Sequence, residues 1–266
     1  EKQTIIAKVI VNASGPWVTD FFETVLASPA PKKSRLIAGS HIIVARLHNE
    51  PQAYILQNED KRIVFVIPYE DEFSLVGTTD IEYRGDPANV TISNEEKNYL
   101  LTVVNTHFKK KITLDDVVSS YSGVRPLMDD EANNPEAVTR DYSFEIDQSP
   151  DTAPLISIFG GKITTYRKLS EEVVNEVNKC LKHKASAWTK DSILPGGDFS
   201  NHEELNLRLS SDFPWCADSL IARFVKSYGT LSYKILFNCK SISDLGINFG
   251  AGLYQKEVEY LMEYEW

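Results

Sequence analysis

Four apolar, β-branched runs follow one another over residues 35–46, 53–57, 62–69 and 73–79, joined by short polar links. Each has the length and composition of a strand, and Tyr69-Glu70-Asp71-Glu72 reads as a hairpin connection. Successive strands so closely linked pair antiparallel, because parallel neighbours need a crossover of about a dozen residues or more. Residues 42–79 are therefore expected to form antiparallel sheet.

A different pattern stands on either side. Residues 4–11 (TIIAKVIV) read as a strand buried on both faces. They run into Asn12-Ala13-Ser14-Gly15-Pro16-Trp17, and a helix is expected over 17–26 with Trp17, Phe21 and Val25 on one stripe. Ser28-Pro29-Ala30-Pro31 breaks that helix, so a new domain or a large insertion begins near residue 30. The second unit is the apolar run 153–158, then Phe159-Gly160-Gly161-Lys162-Ile163-Thr164-Thr165, then a helix with Leu169, Val173, Val174 and Val177 on one face. Thr164 or Thr165 can cap it. Paired glycines admit close approach, and a helix N-terminus favours negative charge, to which Lys162 and Arg167 add. A cofactor or anion contact fits this stretch. So does an ordinary strand–helix turn with solvated basic residues.

Ser93-Asn94-Glu95-Glu96 fits a capping box opening a helix to about residue 109, with Leu100, Val103, Val104 and Phe108 on one side and Lys109-Lys110-Lys111 at its end. A strand over 116–123 leads to Val124-Arg125-Pro126-Leu127, and residues 138–146 alternate as a further strand. From residue 203 the pattern is mostly helical (203–211, 219–228, 233–238 and 253–266), with Phe213, Trp215, Phe224, Tyr228, Phe237 and Tyr260 as the core of a small helical domain.

A chain of 266 residues makes one large or two modest domains. Its net charge of -10 argues against a general nucleic-acid binder, so an anionic ligand needs a local basic cluster. Arg125, Arg140 and Lys162 are placed beside turns where strands end and together can form such a pocket; any one of them alone is better explained as a surface or salt-bridged residue. His41 lies in an apolar strand run, where it serves as a general base or as a hydrogen-bonded structural histidine. Gly77-Thr78-Thr79-Asp80 lines a site or simply turns. Cys180, Cys216 and Cys239 lack metal-ligand spacing and read as structural thiols of a reduced, cytoplasmic compartment. His48, His107, His183 and His202 have no partner at metal spacing, and no metal site is expected. There is no Gly-x-Gly-x-x-Gly, no Gly-x-Ser-x-Gly and no apolar run of about 18 residues. The chain opens on Glu1-Lys2-Gln3 and stops at Tyr264-Glu265-Trp266 within a helical pattern, as a fragment of a longer protein is expected to do.

Several stretches together resemble the FAD-dependent (aerobic, quinone-linked) glycerol-3-phosphate dehydrogenases. They are Val11-Asn12-Ala13-Ser14-Gly15-Pro16-Trp17, Ile37-Ala38-Gly39-Ser40-His41-Ile42, residues 54–68 (YILQNEDKRIVFVIP), Gly77-Thr78-Thr79-Asp80, Tyr121-Ser122-Gly123-Val124-Arg125-Pro126-Leu127, Thr139-Arg140-Asp141-Tyr142 and residues 159–169 (FGGKITTYRKL). Beyond residue 180 the match is weaker and rests on Leu194-Pro195-Gly196-Gly197 and Ser243-Asp244-Leu245-Gly246.

The resemblance implies an α/β plus α+β chain: the later part of a glycine-oxidase-like FAD domain (residues 1–30 and 126–185), an inserted antiparallel-sheet substrate cap (31–125) and a truncated helical C-terminal domain (186–266). It implies oxidation of sn-glycerol 3-phosphate to dihydroxyacetone phosphate by hydride transfer to FAD, with electrons passed to membrane quinone. In that reading Arg125 and His41 are catalytic, and Arg140, Lys162, Thr78 and Thr79 bind substrate. Ala13, Ser14, Gly15, Gly160, Gly161, Lys162, Ile163 and Thr164 lie against the cofactor. It further implies a cytoplasmic protein peripherally associated with the cytoplasmic membrane, homodimeric, with no nucleic-acid partner. The family's dinucleotide fingerprint lies before residue 1, so these residues alone are expected to hold no stable flavin and not to turn over. A related amine or amino-acid oxidase, or a non-catalytic ligand-binding or assembly module, are the competing readings.

Overall fold

The computed structural model describes residues 3–128, 141–150 and 152–265, in two compact units, Glu1–Ala187 and Trp188–Trp266. The first unit is built on a twelve-residue strand, β2 (Ser34–Ala45). Along one side of β2 lie β5 (Phe73–Gly77) and β6 (Ile81–Tyr83); β4 (Ile63–Tyr69) and β3 (Tyr54–Gln57) continue outward from β5. Along the other side runs β7 (Val117–Met128). Every pairing in this sheet is antiparallel, as the short connections require. The β4–β5 hairpin turns through Glu70 and Asp71, both at positive φ (44° and 58°), the hand that matches strand twist.

Alternation sorts the sheet's faces. Ile42, Val44, Val64, Val66 and Val76 are fully buried on one face against Leu100, Leu101, Val103 and Val104 of helix α2 (Asn94–His107). The complete Ser93/Glu96 capping box starts α2. The helix stops two residues earlier than expected, and the Lys110 and Lys111 ammoniums then donate to the carbonyls of Arg46 and Phe108. On the opposite face Ile55, Ile63, Phe65, Ile67 and Tyr121 remain exposed.

A second, three-stranded sheet has order β1 (Ile10–Asn12), β9 (Leu155–Gly160), β8 (Tyr142–Asp147), with β1 parallel and β8 antiparallel to β9. Here the expectation for residues 4–11 fails. Only three residues pair; Ile5, Ile6, Ile10 and Val11 are exposed, because among the described residues no element packs over them, and β1 has a paired neighbour on one side only. Helix α1 (Val18–Thr24) buries Val18 and Phe22 against Leu155 and Phe159; of the expected stripe Phe21 packs beside this cluster, while Trp17 and Val25 are exposed. The 3-10 turn Gly15–Trp17 precedes it, so Trp17 stands outside the α-helix. Helix α3 (Tyr166–Cys180) follows β9; Val173 is buried and Val174 is exposed.

The second unit packs α4 (His202–Asp212), α5 (Asp218–Tyr228), α6 (Ser232–Ile235) and α7 (Gln255–Tyr260) around Leu209, Ile221, Phe224, Leu236 and Leu245. Two expectations need correcting. Phe237 is exposed, because the four-residue α6 turns Ile235 and Leu236 inward and leaves the next side chain outside. The final helix does not begin at Leu253. Instead β11 (Leu253–Tyr254) pairs with β10 (Asn248–Gly250) in a short ribbon, turned by Gly250, Ala251 and Gly252, all at positive φ. Cys216 and Cys239 are unpaired, buried thiols of this core, and burial raises the pKa of both.

Candidate active site

On the exposed face of the six-stranded sheet, β2 presents Gly39 and His41 two residues apart, hence on one side. The register sets His41 opposite Gly77 of β5 and Tyr121 of β7, Gly39 opposite Gly123, and Ile37 opposite Arg125. The His41 imidazole stacks on Tyr121 with centroids 5.0 Å apart and an interplanar angle of 11°. It also lies over bare backbone, since a Cβ on Gly77 would come within 2.3 Å of His41 Cδ2. Gly77→Ala is therefore expected to push the imidazole off Tyr121, and the ring-current shift of its protons in an NMR spectrum should diminish.

Gly39 does for Arg125 what Gly77 does for His41. A Cβ there would meet Arg125 Nη2 and Thr78 Oγ1, each at 2.7 Å. The Arg125 guanidinium pairs through Nη1 with Asp80 and donates through Nη2 to Thr78 Oγ1 at 3.1 Å. Arg125 lies inside β7, not at a strand end as its sequence context implied; among the described residues β7 pairs with β2 alone, the edge setting in which a proline such as Pro126 is tolerated. Burial, and then the nearby Arg125 charge, lower the pKa of His41 below its ordinary 6.5. Both effects favour the neutral imidazole, the form that can accept a proton.

Thr79 departs from its expected place. It is 1% exposed, and its hydroxyl donates inward to Glu96 Oε1 at 2.6 Å while accepting from Ser40 N–H at 3.0 Å. Of the threonine pair only Thr78 reaches the face that carries His41 and Arg125.

The second group of residues belongs to the three-stranded sheet. The turn Ala13-Ser14-Gly15 leaves the carboxyl end of β1, and residues 160–164 leave the carboxyl end of its parallel neighbour β9. Ligands of open α/β sheets bind at that edge. Buried Asn12 shapes the first turn, donating to Val18 O at 3.2 Å and accepting from Ser14 Oγ at 2.6 Å. In the second turn Gly160 and Gly161 have φ of 75° and 102°, and a Cβ on Gly160 would strike Asp141 O at 2.4 Å. Lys162, Ile163 and Thr164 are exposed. Thr165 occupies the N-cap position of α3, but its hydroxyl donates back to Lys162 O and caps nothing. Arg140 lies outside the described residues. A cleft of about 1020 Å³ at the far end of α3, lined by Glu172, Lys179 and His183 among others, includes none of these residues.

A family profile described as FAD dependent oxidoreductase matches residues 1–162. The chain belongs to that family. It is 51% identical over 261 residues to the aerobic glycerol-3-phosphate dehydrogenase of Escherichia coli, covering 98% of this chain and 52% of that protein. It is 47% identical over 264 residues to the glycerol-3-phosphate dehydrogenase of Pseudomonas aeruginosa, covering 99% and 52%. Among solved structures, the Bacillus halodurans glycerol-3-phosphate dehydrogenase complexed with FAD superposes with a TM-score of 0.73 at 32% identity, covering 88% of this chain and 45% of that one. The chain spans about half the length of the curated relatives it matches.

The turn after β9 has features that suit a flavin cofactor. Gly160 and Gly161 form a bare-backbone turn, the N–H groups that open α3 have no side-chain cap, and Ile163 is 89% exposed beside them. Sequence reasoning passed over two members of the group on the six-stranded sheet. Tyr121 stood within the motif that carries Arg125, but nothing local marks it as stacking on His41. Glu96 was visible only as a capping-box residue. Among the described residues there is no group of three or more His, Cys, Asp or Glu placed to hold a metal, and no helix long and apolar enough to cross a membrane.

Proposed function

We propose that the chain supplies the substrate cap and the later flavin-domain segments of an enzyme that oxidises sn-glycerol 3-phosphate to dihydroxyacetone phosphate. The observation that carries this reading is that the His41 imidazole, stacked on Tyr121, and the pinned Arg125 guanidinium share one sheet face over a floor of two glycines. Oxidising a secondary alcohol requires removal of its hydroxyl proton and stabilisation of the negative charge that develops on oxygen. His41 accepts the proton and Arg125 stabilises the oxygen. FAD, when bound, supplies the hydride acceptor. Lys162, Arg140 and Thr78 hold the substrate and its phosphate, and Ala13, Ser14, Gly15, Gly160, Gly161, Ile163 and Thr164 lie along the cofactor. Residues 31–125 act as the cap, residues 1–30 and 126–185 as flavin-domain segments, and residues 186–266 as a C-terminal domain. Electrons pass on to membrane quinone from a homodimer held peripherally at the cytoplasmic membrane. The relatives' names and the 51% identity to the Escherichia coli protein support this substrate over an amine or amino acid.

A substrate scan of the FAD-loaded enzyme tests the reading. Glycerol 3-phosphate should be oxidised and amino acids should not; the reverse would establish the oxidase alternative, and titration heat without turnover would establish a binding module. The pH profile adds a further expectation. Because the His41 pKa is lowered from 6.5, the acid limb of kcat/KM should fall below that value, and the base should remain competent at neutral pH. Produced alone, the 266 residues should be colourless, since they contain no Gly-x-Gly-x-x-Gly turn for the cofactor diphosphate. A near-stoichiometric flavin band in that preparation would overturn this last expectation.

A further inference from the structure

Glu96 is a buried carboxylate, 7% exposed, behind the face that carries His41 and Arg125. One oxygen does ordinary work: Oε2 accepts from Ser93 N–H at 2.8 Å and closes the capping box of α2. The other oxygen does something a capping box does not need. Oε1 accepts from Thr79 Oγ1 at 2.6 Å and from Ser40 Oγ at 2.9 Å. Ser40 Oγ is in turn 2.9 Å from Ser122 Oγ on β7. Thr79 is locked to β2 twice more, accepting from Ser40 N–H at 3.0 Å and donating its own N–H to Ser40 O at 3.3 Å. One carboxylate thus ties the first turn of α2, the middle of β2 and the segment after β5. Burial disfavours its charge, but the hydrogen bonds from Ser93, Thr79 and Ser40 outweigh that and hold the carboxyl below its usual range.

Thr79 lies between Thr78 and Asp80, the two residues that hold the Arg125 guanidinium. We propose that Glu96 is a positioning residue for Arg125: by anchoring Thr79 from behind, it sets where Thr78 and Asp80 present their acceptors. Glu96 touches neither substrate nor cofactor. Its effect passes through two residues and ends at the guanidinium, so the inference rests on the reading that Arg125 acts in the reaction.

The test uses Glu96→Gln in the FAD-loaded enzyme. A carboxamide has one acceptor oxygen, so with that oxygen on Ser93 N–H the Thr79 and Ser40 hydroxyls lose their charged acceptor and are left facing N–H donors, which reverses the link. The expected result is a kcat reduced about 10- to 100-fold, the scale on which a misplaced group costs rate. KM for glycerol 3-phosphate should change little, because the lost interaction is made in the transition state. Thr79→Val removes the same link without touching the helix cap and should give the same split, which keeps the test open if Glu96→Gln loosens α2. In an Arg125→Lys background either change should cost nothing further, as coupled positions require. A crystal structure of Glu96→Gln should show the Arg125–Asp80 pair displaced, a readout independent of turnover. Normal kcat in both variants alongside an impaired Arg125→Lys enzyme overturns the proposal. So does an equal fold-loss in both backgrounds. An unimpaired Arg125→Lys enzyme instead overturns the role given to Arg125, and the proposal falls with it.

Discussion

Arg125→Lys is expected to cut kcat of the FAD-loaded enzyme by about 10²–10³-fold, the cost of losing one preorganised donor to a developing oxyanion. The guanidinium is held at both ends in the folded protein: Nη1 pairs with Asp80 and Nη2 donates to Thr78 Oγ1. A side chain a third exposed yet doubly tethered needs little reorganisation when charge develops in front of it. Lysine keeps the charge and can keep the Asp80 pair. It loses the planar fork, so one ammonium cannot reproduce both tethers and still present a donor in a fixed direction. Arg140→Lys makes the contrast. A residue that only grips phosphate does so equally in ground and transition states, so that variant should chiefly raise KM. Steady-state kinetics with flavin content verified by absorbance decides the matter. Near-normal kcat in Arg125→Lys with flavin intact would leave Arg125 as a structural ion pair.

The second large effect concerns stability. Glu257→Ala is expected to destabilise the second unit by about 3–5 kcal/mol, the usual cost of removing one partner from a buried ion pair. Glu257 is 2% exposed and takes two hydrogen bonds from Arg223, at 2.7 and 2.6 Å, and one from Tyr228 Oη at 2.7 Å. Arg223 also donates to Gly252 O at 2.6 Å. The carboxylate therefore joins α5 to α7 and, through Arg223, to the ribbon turn. Its removal leaves a guanidinium and a phenol without their acceptor in a half-buried setting. For a domain of this size each kcal/mol lowers Tm by about 4–8 °C, so thermal denaturation will resolve the effect easily. The same group sets an acid limit. Burial raises the Glu257 pKa, but the hydrogen bonds and charge of Arg223 and Tyr228 outweigh it and leave the folded value below the ordinary 4.5. A depressed folded pKa contributes stability above the unfolded value and loses it as pH falls through the folded one. Acidification below pH 4.5 should therefore weaken the second unit, and Glu257→Gln should remove that part of the pH dependence.

The strand runs over residues 35–79, the capping box at Ser93 and the helices after residue 203 were legible in the sequence because each is a local pattern, fixed by periods of about 2 or 3.6 residues and by cap chemistry. The same holds for the glycines at 160 and 161, whose positive φ is a local demand. Family membership was legible too, since it rests on contiguous motifs that the profile over residues 1–162 also matches. Local patterns failed where the answer lay in packing or in partners. Packing against Leu155 and Phe159 selected Val18 and Phe22 of α1 over Trp17 and Val25; the apolar residues before Asn12 have no element packed over them among the described residues; a three-residue turn made a ribbon where a helix was expected to start.

The candidate site divides in the same way. His41, Arg125 and Thr78 could be named as reactive types from their motifs. Their company could not. Asp80 is 45 positions from Arg125, Glu96 is 56 from Ser40, and Tyr121 is brought to His41 only by the β2–β7 register. Thr78 and Thr79 are neighbours in sequence and face opposite sides of the sheet, one toward Arg125 and one toward Glu96. What the sequence by itself determined was which residues could do chemistry and which short segments carry them. Which of those residues meet, and which of two adjacent hydroxyls reaches the site, was decided by strand register and burial, because hydrogen bonds and ion pairs depend on distance through space and chain order does not encode it.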